Sequence, residues 1–435
     1  MVTYRRFKDQ TVPPSIAFPP QGIGFDLDRD LRNVLGEVRA FVHEDAIPAE
    51  ADLADPDDLL QSWDVVDRLR DRARARGIYA PGQPEEYGGL GIGVLGMSLI
   101  SQECGVSPLA SLGLNAMAPD EGNMHTLEMA GTKAQKERWL RPLAEGTIRS
   151  CFAMTEPDVA SSDPTNLAAT AVREGDEWVI NGRKWFITGA IGATIAIVVA
   201  KTGGLDDPDP DRRGSHRDYS LILVPTDTPG WEIVRDPAIT GAHAVGGHAE
   251  ILMTDIRVPA ENLLGGEGEG FVIAQKRLAG GRLAHAMRWI GVSQRALDLT
   301  AARLQERQAF GVDLAKHQAL QFFIADSAID LYASRMMVLN AAWKVEHDLP
   351  HRQEVAMVKT FVSEAFGRIL DRCVQIYGSH GVSTEDFPIA RWYADSRAAR
   401  IYDGASEVHR MTIARTLLKL AQDGDTTAAG CGGLR

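Results

Sequence analysis

The sequence is poor in cysteine, in aromatic residues and in positive charge, and each scarcity closes off a class of function. Four cysteines, Cys104, Cys151, Cys373 and Cys431, are scattered through 435 residues. They form no CxxC pair and no Cys/His spacing suited to a metal, so a reduced interior without structural zinc is expected. Aromatic residues make up 7% of the chain, and Lys and Arg number 46 against 59 Asp and Glu, a formal charge of −13. No basic run carries interleaved aromatics, which argues against a nucleic-acid surface. The HExxH, GxSxG and GxxxxGK(S/T) motifs are missing. The opening MVTYRRFKDQTVPPSIAFPP has prolines and an early Asp9 where a secretory or organelle leader needs an apolar or amphipathic run, so cytoplasm is the expected location. The least charged window, Tyr87 to Ala118, contains only Glu103, but its Gly, Ser and Pro108 favour buried helices over a membrane span.

What is present is the composition of a soluble globular protein, with 44% apolar residues. The pattern is mainly α with a central β domain. Residues 1–25 read as a proline-rich arm, 26–150 as an α-helical domain, 151–265 as a β domain, 266–421 as a helix bundle, and 422–435 as a flexible tail. Leu31, Val34, Leu35, Val38, Phe41 and Val42 recur at helical spacing. Another helix carries Val355, Val358, Val362, Phe366, Ile369, Cys373 and Ile376. Short β-like runs lie at 178–180, 185–188, 194–200, 220–224 and 248–253, and Asn181–Gly182 between the first two signals a hairpin. The charged, proline-containing stretch 202–219 reads as a solvated loop. Gly91, Gly93 and Gly96 spell GxGxxG, but no β-run precedes them and no acidic residue follows at the required distance, so a dinucleotide fold is rejected. Gly266, Gly268 and Gly270 alternate in a loop before a helix and either mould backbone around a phosphate or, the favoured reading, only form a turn.

One carboxylate stands out. Asp403 lies between Tyr402 and Gly404 in a glycine-punctuated segment joining two apolar-periodic helices, which predicts a turn. Such an Asp either caps the following helix or presents a catalytic group from a rigid scaffold, and local chemistry leaves both open.

Five further stretches occur in order: MTEPDVASSD (154–163), KWFITG (184–189), RQAFG (307–311), QIYGSHG (375–381) and IYDGASEVHR (401–410). Together with PEEYGGLGIG (84–93) they resemble the acyl-CoA dehydrogenase family of flavoenzymes, over roughly residues 26 to 420. APDEGNM (118–124), RLAGGR (277–282) and DGASEVHR (403–410) are similar to a branch with an Asp base whose vertebrate members are fused to a kinase-like domain and associated with 4-hydroxyacyl-CoA metabolism.

The resemblance implies an N-terminal helical domain, a middle β-barrel-like domain and a C-terminal four-helix bundle in a dimer or tetramer, with FAD at the junction. It implies that Phe152, Met154, Thr155, Ser161 or Ser162, Phe186 and Thr188 contact flavin or substrate. Arg307, Phe310, His317, Gln318, Gln375, Gly378, Ser379, Ala405 and Glu407 match FAD-binding positions, in part across a subunit boundary. One extra residue between Thr155 and Asp163 leaves open which serine faces the ligand. Phe186 stands where Trp is common, and Ser379–His380 where Gly or Ala is common. Arg282 and Tyr402 match substrate positions, and no metal is implied.

In the family a carboxylate takes the α-proton of an acyl-CoA while the β-carbon gives hydride to flavin N5. Asp403 matches that base, and the alternative base position is Gly281. Arg410 either orients Asp403 or packs in the bundle, and His285, His380 and His409 read as ordinary histidines. The implied activity is FAD-dependent α,β-dehydrogenation to a trans-2-enoyl-CoA, as in fatty acid β-oxidation, with electron-transfer flavoprotein as acceptor. Two alternatives remain: a flavin oxidase on a small carbon acid, since nitroalkane oxidase shares the fold and an Asp base, and a non-catalytic partner subunit of a heteromeric dehydrogenase.

Overall fold

The computed structural model describes residues 27–53, 63–205, 215–241, 243–385 and 387–422. The arm expected at 1–25, the tail beyond Gln422 and much of the 202–219 loop lie outside the described residues. The chain divides into two compact units, Gly36–Ile92 with Ser107–Gly281, and Met1–Leu35 with Gly93–Val106 and Arg282–Arg435. The helices that build them include α1 (Val94–Cys104), α2 (Asp120–Ala130), α3 (Gly270–Glu306), α4 (Gln318–Glu346), α5 (Arg352–Tyr377), α6 (Ile389–Ala399) and α7 (Ser406–Gln422). Among the described residues no helix is long and apolar enough to cross a membrane.

The first unit is built on a mixed eight-stranded sheet. Its strands are β1 (Ser150–Ala153), β2 (Thr170–Glu174), β3 (Glu177–Thr188), β4 (Ile195–Lys201), β5 (Tyr219–Pro225), β6 (Trp231–Arg235), β7 (His248–Pro259) and β8 (Leu263–Leu264). They follow the order β6-β7-β3-β2-β4-β5-β8, with β1 parallel to β4. The run IAIVVAK of β4 lacks polar alternation because both of its faces are covered. Ala196, Val198 and Ala200 join one core, with Trp178, Ile180 and Ile251. Ile195, Ile197 and Val199 join another, against Met124 and Leu127 of α2 and Trp139, Leu140 and Leu143. Each such aliphatic side chain contributes about 2 kcal/mol of burial.

Asn181–Gly182 does not make the expected hairpin. Both residues lie inside the single 12-residue strand β3, and the tight connection is instead at Gly175–Asp176, between β2 and β3. The pair marks a register shift against β7, from Ile180↔Ile256 to Gly182↔Met253. Gly182 has φ 148°, and a Cβ there would stand 2.5 Å from that of Ala169. The Asn181 amide donates to the Asp255 carboxylate and its carbonyl accepts from the Asp255 N–H, so the turn-forming residues serve a bulge.

The second unit is a helix bundle. Leu283, Met287 and Ile290 of α3, Leu331, Val338 and Leu339 of α4, Val355, Val362 and Phe366 of α5, and Ile389 and Trp392 of α6 share one core with Leu99 of α1. The GxGxxG stretch enters α1 with no strand before it among the described residues, and the Glu346 carboxylate accepts from the N–H of Leu95 at 2.8 Å. Among the glycines 266, 268 and 270, the Gly266 N–H donates to Glu269 within the turn and the Gly268 N–H to Ser220 Oγ of β5.

Candidate active site

Asp403 sits in the turn between α6 and α7 with φ 56°, a left-handed backbone. Gly404 follows at φ 101°, where an added Cβ would stand 2.6 Å from His409 Nε2. The tight turn therefore requires glycine at that position. Three side chains from three helices hold the loop by its carbonyls. Lys359 Nζ donates to the carbonyls of Ala399 at 2.6 Å and Gly404 at 3.0 Å. Arg282 Nε donates to the Asp403 carbonyl at 2.9 Å. His409 Nε2 lies 3.3 Å from the same oxygen, and a carbonyl only accepts, so Nε2 carries the proton.

These donors are held at some cost. Lys359 is completely buried, and burial lowers its pKa to about 8, with Asp403 acting in the opposite direction. Burial also lowers the pKa of Arg282, again opposed by Asp403. Burial, followed by the nearby Arg282 charge, brings His409 down to about 4. The Asp403 carboxylate faces His285, with Oδ2 3.4 Å from Nε2. The His285 ring stacks on Trp289 and meets Tyr402 edge-on, and Trp289 Nε1 donates to the Tyr402 hydroxyl at 2.9 Å. The result is a half-buried carboxylate framed by aromatic rings. Arg410 does not reach it; its guanidinium pairs with Glu364.

His285, Trp289, Lys359 and His409 were not singled out by the sequence as site residues, although two of the signals were there. Arg282, His285 and Trp289 are spaced i, i+3, i+7 and so share one face of α3. Lys359 occupies a position on the apolar stripe of Val355, Val358 and Val362, where a solvated lysine would not be expected.

The other expected site residues fall into separate groups. In the sheet unit, Phe152, Met154 and Thr155 leave the end of β1 beside Trp185 to Thr188 of β3. The Trp185 N–H donates to the Thr155 carbonyl, and the Thr155 hydroxyl to the Trp185 carbonyl at 2.6 Å. Lys184 Nζ donates to the Met154 carbonyl, and the Thr188 hydroxyl pairs with His248. Ser161 is turned inward, with its hydroxyl accepting from the Glu156 N–H at 2.9 Å and donating to the Glu156 carbonyl, whereas Ser162 is exposed.

In the bundle unit, Arg307 and Phe310 belong to a hairpin of β9 (Gln308–Ala309) and β10 (Val312–Asp313), followed by His317 and Gln318 at the start of α4. The His317 ring meets Phe310 edge-on and lies 3.3 Å from the Ala309 carbonyl. Gln375 lies in the last turn of α5, with Gly378 and Ser379 just beyond it, and all three are exposed, while Ala405 precedes α7 and Glu407 lies in its first turn. This donor set suits a flavin dinucleotide. Within the bundle unit, Arg307 and Ser379 offer the guanidinium and hydroxyl that a diphosphate takes, and Phe310 an aromatic face at 97% exposure; in the sheet unit, taken by itself, Phe186 offers one at 39%. Phe186 and Phe310, like Asp403, have positive φ, which side chains of that bulk rarely adopt.

Models of the N-terminal, middle and C-terminal domains of acyl-CoA dehydrogenase match residues 28–147, 151–256 and 268–418. FadE2 of Mycobacterium tuberculosis is 41% identical over 368 residues, covering 84% of this chain and 88% of that protein. Acyl-CoA dehydrogenase family member 11 of Gallus gallus is 37% identical over 414 residues, covering 92% of this chain but 52% of that protein. The chain thus spans about half the length of several curated relatives it matches. Butyryl-CoA dehydrogenase from Megasphaera elsdenii superposes with a TM-score of 0.78 at 30% identity, over 91% of this chain and 99% of that one.

Proposed function

Because the chain belongs to the acyl-CoA dehydrogenase family, whose members are FAD-dependent oxidoreductases, we propose that it dehydrogenates an acyl-CoA thioester to a trans-2-enoyl-CoA with Asp403 as base. The observation that carries this reading is the Asp403 turn. An α-proton is too weakly acidic for a carboxylate in water, so the site must stabilise the developing enolate oxygen while the proton leaves. Asp403 offers both parts from one residue, with its carboxylate for the proton and its backbone N–H for the thioester oxygen. The bonds from Lys359, Arg282 and His409 fix the carbonyls of Ala399, Asp403 and Gly404, so the donor is aimed before substrate arrives. FAD, when bound, supplies the two-electron acceptor for the β-hydride. Tyr402 and Arg282 line the acyl and CoA side, and Ser162 is the serine left to face the ligand, since Ser161 is bonded to Glu156. Electron-transfer flavoprotein is the proposed final acceptor.

Assembly completes the site. The Phe310 hairpin follows Glu306, which stands 24 residues beyond Arg282 on the same helix, on the order of 36 Å at 1.5 Å per residue. Arg307 and Phe310 therefore serve the cofactor of a second copy, and a 97% exposed phenylalanine is what a contact of that kind would show.

Anaerobic titration of the purified flavoprotein with short, long, branched and 4-hydroxy acyl-CoAs, then with nitroalkanes, tests the reading. Bleaching of oxidised flavin by one class of thioester is expected. Bleaching by nitroalkanes alone would make the protein an oxidase of small carbon acids, and a chain that binds no flavin would make it a partner subunit.

A further inference from the structure

The geometry points to His285 as a positioning residue for Asp403: a neutral imidazole, locked in one tautomer by Arg288, that hydrogen-bonds the carboxylate and fixes its rotamer. This rests on the reading of Asp403 as the base and goes beyond it by saying what aims that base. Arg288 Nη2 lies 3.2 Å from His285 Nδ1. A guanidinium only donates, so Nδ1 accepts, the ring is neutral, and its one proton sits on Nε2. That nitrogen is 3.4 Å from Asp403 Oδ2. Stacking on Trp289, with ring centroids 5.9 Å apart at 24°, and the edge contact with Tyr402 at 5.2 Å stop the ring from turning to another partner.

The need for such a group follows from the length of the base. Aspartate has one methylene less than glutamate, so its carboxylate swings on a shorter arm and a small rotation carries it off the α-carbon. A displacement of about 1 Å is worth up to on the order of 100-fold in rate. The other groups around the turn are differently employed. Lys359, Arg282 and His409 all spend donors on backbone carbonyls. His285, backed by Arg288 on its own helix, places Nε2 beside the carboxylate itself.

Two substitutions separate the two ends of the imidazole. In His285→Asn the amide oxygen stands near the place of Nδ1 and accepts from Arg288, while the side chain stops short of the carboxylate. In His285→Gln an amide N–H extends to the place of Nε2. Both are polar, and Asp403→Asn serves as the control for the base itself. The measurement is the anaerobic rate of flavin reduction by the best acyl-CoA of the panel, across pH, together with the binding constant of that thioester and the flavin content of each variant. His285→Asn is expected to slow reduction at least about tenfold with unchanged thioester binding, and to enlarge the isotope effect of an α-deuterated substrate. His285→Gln is expected to recover most of the rate. Equal rates in wild type, Asn and Gln variants, or a loss seen only in thioester binding, would overturn the role of His285 while leaving Asp403→Asn inactive. Undiminished reduction in Asp403→Asn would instead remove the base assignment, and His285 with it.

Discussion

At the scale of single residues, the turn carries its chemistry on groups that burial has moved from their usual titration range. His409 is 6% exposed and holds its neutral form, with a pKa of about 4 in the folded chain against 6.5 when unperturbed. Between those values the unfolded chain binds a proton that the folded chain refuses, so stability falls as pH drops from about 6.5 toward 4. At pH 5 the loss amounts to on the order of 2 kcal/mol. Urea denaturation at pH 7 and pH 5 is expected to show that loss in wild type and a much smaller one in His409→Gln, whose amide can still donate to the Asp403 carbonyl. Asp403 was legible in the sequence because a glycine follows it between two periodic helices. His409 was not, since a single histidine carries no mark of what it will face. Lys359 was half-legible: its place on an apolar stripe signalled burial, but not that it would hold the carbonyls of residues 40 and 45 positions away.

At the scale of elements, the stretch proposed to face the flavin is organised by one buried ion pair. Lys184 of β3, with no exposure, donates to Glu156 Oε1 at 2.7 Å as well as to Met154, and Glu156 accepts from the N–H groups of Ala168 and Ala169. Lys184 thereby ties β3 to the loop that carries Thr155 and Ser162. Removing one partner leaves a charge buried without its counterpart, so Lys184→Met is expected to cost about 3–5 kcal/mol in urea denaturation and to release flavin at lower denaturant. Undiminished stability would show that the loop holds without the pair. The same strand shows why element boundaries were only partly readable. Asn181–Gly182 is a local turn signal, but pairing of β3 with β7 on both sides of it, through Val179↔Arg257 and Lys184↔Ile251, outweighs the local preference and turns the pair into a bulge.

At the scale of the molecule, the succession of helical, β and helical segments was written in the change of hydrophobic period, from 3.6 to 2 and back. The sequence did not reveal that residues 93–106 belong to the same compact unit as 282–435. Periodicity says which face of a helix is apolar, not which distant helix covers it, and Leu99 finds its core among residues nearly 200 positions and more downstream. The proposed chemistry converges on one carboxylate, and the most direct test of its role as base is a single-turnover comparison of wild type with Asp403→Asn. Both proteins, loaded with FAD and mixed anaerobically with the thioester that bleaches the wild type, are followed at the oxidised flavin band. With Asp403 as base, the variant keeps its flavin and binds the thioester, but reduces at least about a thousandfold more slowly, the scale of losing a general base. Reduction of Asp403→Asn at the wild-type rate would contradict it.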